Sequence, residues 1–414
     1  MDIKHYIPSE LQSRKIEFNS AIEGRNTQRF IPINGSQQYS GSGKNVIEFV
    51  ISSKDLLDLS TLQMSFSYTA PADYQPDDHM ASLIRSVEVQ IADQRVERIE
   101  NYGLMHNMMM YATANDSYYT REENAMANTY TYVPSTVVDG GALKYKSSGG
   151  NGSYIIGFDA LGITKIPVFL PMLNQSLRLI ITLNTSANSH VYTGSADPVP
   201  APADYGLNNV TCLCDTVQVH ESYMSSLMKT IAGSNGLTIP IQTLNIRQNA
   251  FKTADYNWNI NYNEVDSFYF VKKAAGENPT SEAKLYDAEG NFILSNFSLN
   301  VSGRYLTPID GWKTDAEVYQ GMRQSFHSLR DASGSTILDR DLYKKFSVIG
   351  VNAEKLPALN SVIMNGLNLR QNGYQLSLNM NVDPDAFSDT STLYLAILHR
   401  KLIKFSDNAI AVSE

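Results

Sequence analysis

The side chains with chemistry to offer are Cys212 and Cys214, seven histidines and several paired acids, and their spacing decides what they can do. The cysteines stand as C-x-C in VTCLCDTVQV, where residues i and i+2 of a strand share one face. That separation suits neither an ordinary disulfide nor a complete metal site. The histidines, His5, His79, His106, His190, His220, His327 and His399, show no H-x-H or H-E-x-x-H spacing, which disfavours a bicupin metalloenzyme. Asp77 with Asp78, Asp339 with Asp341, and Asp383 with Asp385 have the composition for calcium ligation or acid–base work, but solvated turns are the commoner origin of such pairs.

GSGK at 41–44 invites comparison with a phosphate-binding loop. The position for its first glycine is Gln38, and Asn45 follows Lys44 where Ser or Thr is needed, so the segment reads as a turn before a strand. His399, Arg400, Lys401 and Lys404 lie beside an apolar strand with no interleaved aromatic platform, and read as a solvated strand end facing the interior of an assembly. Met108, Met109 and Met110 read as core filling, with an adaptable protein contact as the second reading. The sequons at Asn209 and Asn300 carry no weight without a secretory signal. No catalytic, cofactor-binding or metal-binding residue is assigned, and the expectation is a protein that is not an enzyme.

The elements that must position these residues are strands. In TLQMSFSYT, Leu62, Met64, Phe66 and Tyr68 point one way while Gln63, Ser65 and Ser67 point the other. The same period of two runs through Val87, Val89 and Ile91, through Leu177 to Leu183, through Phe297 to Val301 and through Tyr374 to Val382. Near-continuous apolar runs at Val46–Ile51, Val210–Val219 and Leu393–Leu398 predict strands covered on both faces.

Three segments read as helices. Thr314 opens one with a T-x-x-E capping box to Glu317, followed by Val318, Met322, Phe326 and Leu329 at helical spacing. NYGLMHNMMMYATA at 101–114 places Leu104, Met105, Met108 and Ala112 on one face. ESYMSSLMKTIAG stacks Tyr223, Met224, Leu227, Met228 and Ile231, with Gly233 as its C-terminal cap.

The two halves echo each other in order. IGFDA at 156–160 answers IGVNA at 349–353, and KIPVF at 165–169 answers KLPAL at 355–359. SLRLIITLN at 176–184 answers YQLSLNMNV at 374–382, and VEVQIADQR from Val87 answers FSLNVSGR from Phe297, each followed by a helix candidate. A duplicated unit of about eight strands predicts an all-β chain of two tandem eight-stranded jelly-roll β-sandwiches with a few short helices in the connections. The expected boundaries are an arm at 1–24, a first jelly roll at 25–233 and a second at 234–414. The long polar segments 129–153 and 187–208 are expected on the surface as functional loops.

Composition agrees. A chain of 414 residues exceeds the roughly 250 to 300 at which one core stops growing. With 43% hydrophobic and 18% charged residues it should fold, and a net charge of −9 gives it no overall cationic field for holding a polyanion. MDIKHYIPSE lacks a basic n-region and apolar h-region, and no run of about 18 apolar residues exists. A soluble chain made inside a cell is expected.

The tandem order, the K-[IL]-P element of each half and the helix after ESYMSS between them resemble the double jelly-roll major capsid proteins of tailless icosahedral double-stranded DNA viruses, the lineage of adenovirus hexon, virophages and polinton-like viruses. The resemblance covers essentially the whole chain and is architectural. It implies a structural capsid protein, located in the virion after assembly inside the host cell, that forms a pseudo-hexameric homotrimer tiling an icosahedral shell. Its partners would be itself, then neighbouring trimers, penton or minor capsid proteins and an internal membrane, with no sequence-specific nucleic-acid binding and no cofactor. The arm would carry Ile7, Leu11, Ile16 and Phe18, with Pro8 and Ser9, as a short amphipathic inter-subunit contact, a disordered tail being the other reading.

Tandem jelly rolls also serve carbohydrate-binding proteins and hydrolases. The first alternative predicts an exposed aromatic pair among convergent polar groups, with Trp258 and Trp312 the only tryptophans available; the second predicts two carboxylates in one cleft.

Overall fold

The computed structural model describes residues 22–413, except 36–37, 72, 77–78, 114–129, 134–141, 146–150, 169–175, 193–200, 202, 234–235, 252–253, 274–293, 328–347, 356–365, 371–373, 383–391 and 407–408. The first half contains β1 (Ile22–Phe30), β2 (Val46–Ile51), β3 (Leu56–Thr69), β4 (Tyr74–Pro76), β5 (Ile84–Ile91), β6 (Gln94–Glu100), β7 (Tyr130–Val133), β8 (Ala142–Tyr145), β9 (Gly152–Gly157), β10 (Pro167–Val168), β11 (Leu177–Leu183), β12 (His190–Tyr192) and β13 (Gly206–Val219). The second contains β14 (Leu237–Ala250), β15 (Asp255–Ile260), β16 (Val265–Lys273), β17 (Leu294–Val301), β18 (Arg304–Tyr305), β19 (Val348–Asn352), β20 (Tyr374–Val382), β21 (Thr392–Ser406) and β22 (Ala409–Ser413). The helices are α1 (Tyr102–Thr113), α2 (Ser186–Ser189), α3 (Glu221–Gly233) and α4 (Asp315–His327).

Alternation builds the sandwiches. The inward sides of β2, β5 and β11 bury Ile47, Phe49 and Ile51, Val87, Val89 and Ile91, and Leu177, Leu179 and Ile181. These meet the inward side of β3, which buries Leu57 and Leu59 and then Leu62, Met64, Phe66 and Tyr68. The change of phase between Leu59 and Leu62 is taken up where the pairing of β3 with β13 slips, and the Thr61 hydroxyl accepts the freed amide of Asp215 at 2.8 Å.

Sheet order makes the internal repeat explicit. In the first half one sheet runs β1-β13-β3, with β9 and β10 both on β3, and the other runs β2-β11-β5-β6. In the second half one sheet runs β14-β21-β16-β19, with β22 added to β21, and the other runs β15-β20-β17-β18. Matching strands by place pairs β1 with β14, β2 with β15, β3 with β16, β5 with β17, β6 with β18, β9 with β19, β11 with β20 and β13 with β21. Two eight-stranded jelly rolls result. The repeated sequence segments lie on the corresponding strands β5 and β17, β9 and β19, and β11 and β20. Even the turns agree: Ala92 and Asp93 between β5 and β6, and Ser302 and Gly303 between β17 and β18, all have positive φ, as a two-residue type I′ hairpin turn requires.

The helices occupy matching places, α1 after β6 and α4 after β18. Thr314 caps α4 as its sequence implies, with Glu317 Oε2 accepting the Thr314 amide at 2.9 Å and the Thr314 hydroxyl accepting the Glu317 amide at 3.3 Å. Its buried Phe326 lies 4.7 Å from the Tyr269 ring, and Gly350 of β19 keeps the approach close, because a Cβ there would come 2.0 Å from Ser325 Oγ. Helix α3, which connects the sandwiches, is only half-covered: Tyr223, Met224 and Leu227 are partly buried and Met228 is exposed.

Three expectations change. Val46–Ile51 is covered on one face rather than two, because Val46 is exposed and Glu48 and Val50 are half-buried; Val210–Val219 leaves Thr211, Leu213 and Val217 half-buried and Gln218 exposed, and only Leu393–Leu398 is buried throughout. The segment 129–153 includes the paired strands β7 and β8. Parts of 187–208 are core: His190 is fully buried, with Tyr68 Oη 2.6 Å from its Nε2 and Ser189 Oγ 2.8 Å from its Nδ1, and burial depresses its pKa to about 3. A neutral imidazole between two hydroxyls satisfies a polar side chain that composition alone places in a loop.

Candidate assembly interface

The two sandwiches meet edge on. Strand β6, the last in its sheet, packs against β14, the first in its own, while β22 and the turn Gly162–Lys165 fill in beside them. At the centre is Glu97 of β6, which is 1% exposed. Its carboxylate accepts the amides of Gly162 at 2.9 Å and Ile163 at 3.0 Å, and is also hydrogen-bonded by the side chain of Thr243 on β14. Burial pushes the Glu97 carboxyl up, against the downward pull of Thr243, the two amides and Lys401. The backbones touch here: a Cβ on Gly162 would lie 1.9 Å from the carbonyl oxygen of Gln242, so glycine is required by contact with the second sandwich.

Behind Thr243 a second charge is buried. Asp266 on β16 is fully covered, accepting Arg400 Nε at 2.9 Å and Gln242 Nε2 at 2.7 Å, and burial raises its carboxyl against the pull of Arg400. This places the basic cluster differently from its sequence reading. His399 is fully buried beside Tyr262 at 4.4 Å between ring centres, Arg400 is committed to Asp266, and Lys401 is half-buried near Glu97; only Lys404 is exposed. Strand β21 runs centrally between β14 and β16, so its side chains cannot form a solvated end.

Among the described residues no strand of the other sandwich packs on the counterpart edges with comparable contact. β1 and β18 make their main contacts inside their own sandwiches. Exposed apolar side chains gather at or just beyond these two strands: Ile22 at 50%, Ile31 at 72% and Ile33 at 55% by β1, and Ile309 at 79% after β18. Isolated exposed aliphatics are ordinary, but these mark the positions equivalent to the edges already joined within the chain.

The remaining residues singled out by sequence fall as follows. Ile7, Leu11, Ile16 and Phe18, with Pro8 and Ser9, lie outside the described residues, as do Asp77, Asp78, Asp339, Asp341, Asp383 and Asp385. Cys212 and Cys214 are buried free thiols on β13. Met108 is buried and Met109 packs on the core. The rings of His79 and His106 lie 4.6 Å apart between centres, tilted by 34°, in the core, where burial and His79 hold His106 well below the ordinary imidazole range. Trp258 is buried, its Nε1 donating to Asn249 at 2.8 Å, and Trp312 stacks on Phe297, so the tryptophans form no exposed pair. Among the described residues no group of three or more His, Cys, Asp or Glu is placed to hold a metal ion. Sequence reasoning missed Glu97, Thr243 and the exposed edges, because in the mostly polar strand QRVERIE nothing local distinguishes Glu97 from the exposed Glu100.

No protein-family model and no curated protein matches the chain. Solved structures do. The PBCV-1 virus capsid matches at 13% identity and a TM-score of 0.56, covering 94% of this chain and 97% of that one. The Sputnik virophage structure matches at 12% identity and a TM-score of 0.57, covering 95% and 89%. The Faustovirus major capsid protein matches at 8% identity and a TM-score of 0.57, covering 92% and 90%. At such identities the likeness is one of fold, and it extends over both sandwiches: the chain has the double jelly-roll architecture of these capsid structures.

Proposed function

We propose that this protein is the building block of an icosahedral virus shell, a structural protein without enzymatic activity that acts in the virion as a pseudo-hexameric homotrimer. The observation that carries the reading is the seam. It joins the β6 edge of one sandwich to the β14 edge of the next and leaves an equivalent pair, β18 and β1, unjoined. Contacts of this head-to-tail kind are not self-complementary, and repeating one from chain to chain gives a ring when its rotation closes and a filament when it does not; the proposal is closure after three chains. Three chains supply six sandwiches, with Ile309 of one chain meeting Ile22, Ile31 and Ile33 of the next. Apolar burial at about 25 cal/mol per Å², set against association costs, would drive closure.

Neighbouring trimers are then the next partners, with penton or minor capsid proteins and an internal membrane at the shell's vertices and inner surface. The arm at residues 1–24, whose last residues begin β1, is proposed as an inter-subunit contact through Ile7, Leu11, Ile16 and Phe18. The net charge of −9 favours a soluble free trimer and leaves genome condensation to other components. Sedimentation of the purified protein, followed by electron microscopy, tests the proposal: trimers of hexagonal outline are expected, and a permanent monomer at high concentration would overturn it.

A further inference from the structure

The outer face of the sheet β15-β20-β17-β18 carries a cavity of about 380 Å³ that the seam does not use. Strand register places its polar side chains in rows. Asn257, Ser377 and Asn300 are consecutive cross-strand partners, and Tyr305 on the edge strand follows Asn300. One step along, Asp255, Asn379 and Ser298 form a second row. With adjacent strands roughly 4.8 Å apart, the first row spans about 14 Å.

We propose that this cavity binds a neutral saccharide, giving the shell protein a glycan-binding face on the outside of the sheet whose edge strand is β18. The donor and acceptor chemistry points that way. Ser377 Oγ donates to Asn257 Oδ1 at 2.6 Å, Asn379 Nδ2 donates to Asp255 Oδ1 at 2.6 Å, and the Gly303 amide donates to Asn300 Oδ1 at 2.6 Å. Each of these bonds fixes an amide or carboxylate before any ligand arrives, which lowers the entropy lost on binding. An amide held through its oxygen still has two N–H donors, so Asn257 and Asn300 offer donors in the first row and the Ser298 hydroxyl adds one in the second. Tyr305, 44% exposed, supplies an aromatic face at one end of the row for the C–H side of a sugar ring.

Charge decides against other ligands. Asp255 is the one side chain of the lining that carries a charge at neutral pH, and Asn379 already engages it, so the lining has no cation to balance a phosphate, a nucleic acid or an acidic peptide. The composition is also not imposed by the fold. The matching face of the first sandwich, on β2, β11, β5 and β6, is built from ion pairs: Arg178 with Glu48, and Arg98 with Glu88 and Glu100. Tyr305 stays clear of the seam geometry, because its counterpart in the β5–β6 hairpin is Arg95, which is exposed although β6 itself lies in the seam.

Saturation-transfer NMR on the assembled wild-type protein, with lactose, maltose and diacetylchitobiose as neutral probes and N-acetylneuraminic acid as a charged comparator, tests this. We expect transfer from at least one neutral probe and none from the charged one. Tyr305→Ala should weaken binding about tenfold, the equivalent of 1.4 kcal/mol, and Tyr305→Phe should retain it. Ser298→Trp, which fills the cavity without removing the ring, should abolish it, and an unchanged melting temperature verifies folding of each variant. Silence from all three neutral probes at millimolar concentration, transfer from the charged probe alone, or full binding by both Tyr305→Ala and Ser298→Trp would overturn the proposal.

Discussion

The carboxylate of Glu97 accepts the amide of Gly162 at 2.9 Å on the one side of the first sandwich that the second covers. Replacing Glu97 with Ala takes the acceptor from that amide, from the amide of Ile163 and from the Thr243 hydroxyl at a buried position. We expect a loss of about 1–3 kcal/mol for the unmade bonds, read as a lower melting temperature by calorimetry. Gly162→Ala should cost a similar 1–3 kcal/mol by forcing the backbones apart at Gln242. Wild-type melting in both variants would remove Glu97 and Gly162 from any account of how the sandwiches are held.

Stability should depend on pH with a definite sign. Burial raises the Glu97 carboxyl above its ordinary 4.5 and that of Asp266 above 3.8. A carboxyl raised in the folded state holds its proton more readily there than in the unfolded chain. Its contribution is therefore complete below the unfolded value and declines as pH rises through the folded one. Melting temperatures measured upward from pH 4.5 should fall less steeply in Glu97→Gln than in wild type. Parallel slopes would mean that Glu97 does not titrate in this window.

The open edges should be separable from folding. Ile309→Asp, or Ile31→Asp with Ile33→Asp, places charge where apolar burial is proposed to close the ring, and all three positions are exposed within the chain. Each should leave circular dichroism and monomer melting unchanged while shifting sedimentation from trimer to monomer. A variant that sediments as wild type would locate the subunit contact elsewhere.

The capping box of α4 is a local device with a local magnitude. Thr314→Ala removes the hydroxyl that accepts the Glu317 amide and should cost about 1 kcal/mol. Because Phe326 and Met322 anchor the helix to the second sandwich, the loss should appear in global unfolding rather than as fraying of α4 alone. Hydrogen exchange resolved along the helix distinguishes the two.

The buried thiols should be inert. Burial raises both, Cys214 to about 12, so neither forms appreciable thiolate near neutral pH. Maleimide should label Cys212 and Cys214 in denaturant and leave them untouched in the native protein; rapid native labelling would mean that β13 opens easily.

Much of the architecture was legible from local pattern. Alternation in Leu62 to Tyr68, or in Leu177 to Leu183, reports a half-buried strand because a side-chain period of two is a property of the extended backbone itself. The order of the repeated segments, VEVQIADQR before IGFDA before SLRLIITLN, carried the jelly-roll count, since equal strand order in two halves leaves few topologies. The capping box at Thr314 was legible for the same reason, its partners being three residues apart. Runs such as Val46–Ile51 misled because an apolar residue is tolerated on an exposed face at little cost, so composition overstates burial.

By itself, then, the sequence determined two β-sandwiches of like design and the helices that follow corresponding hairpins. Tertiary structure alone decided that Glu97 faces Thr243, that Arg400 is held by Asp266 rather than by water, and that Asn257, Ser377, Asn300 and Tyr305 stand in one row. The reason is physical. Local periodicity fixes which face of a strand is apolar, whereas the identity of the edge that meets another edge depends on register and twist accumulated over partners more than a hundred residues apart.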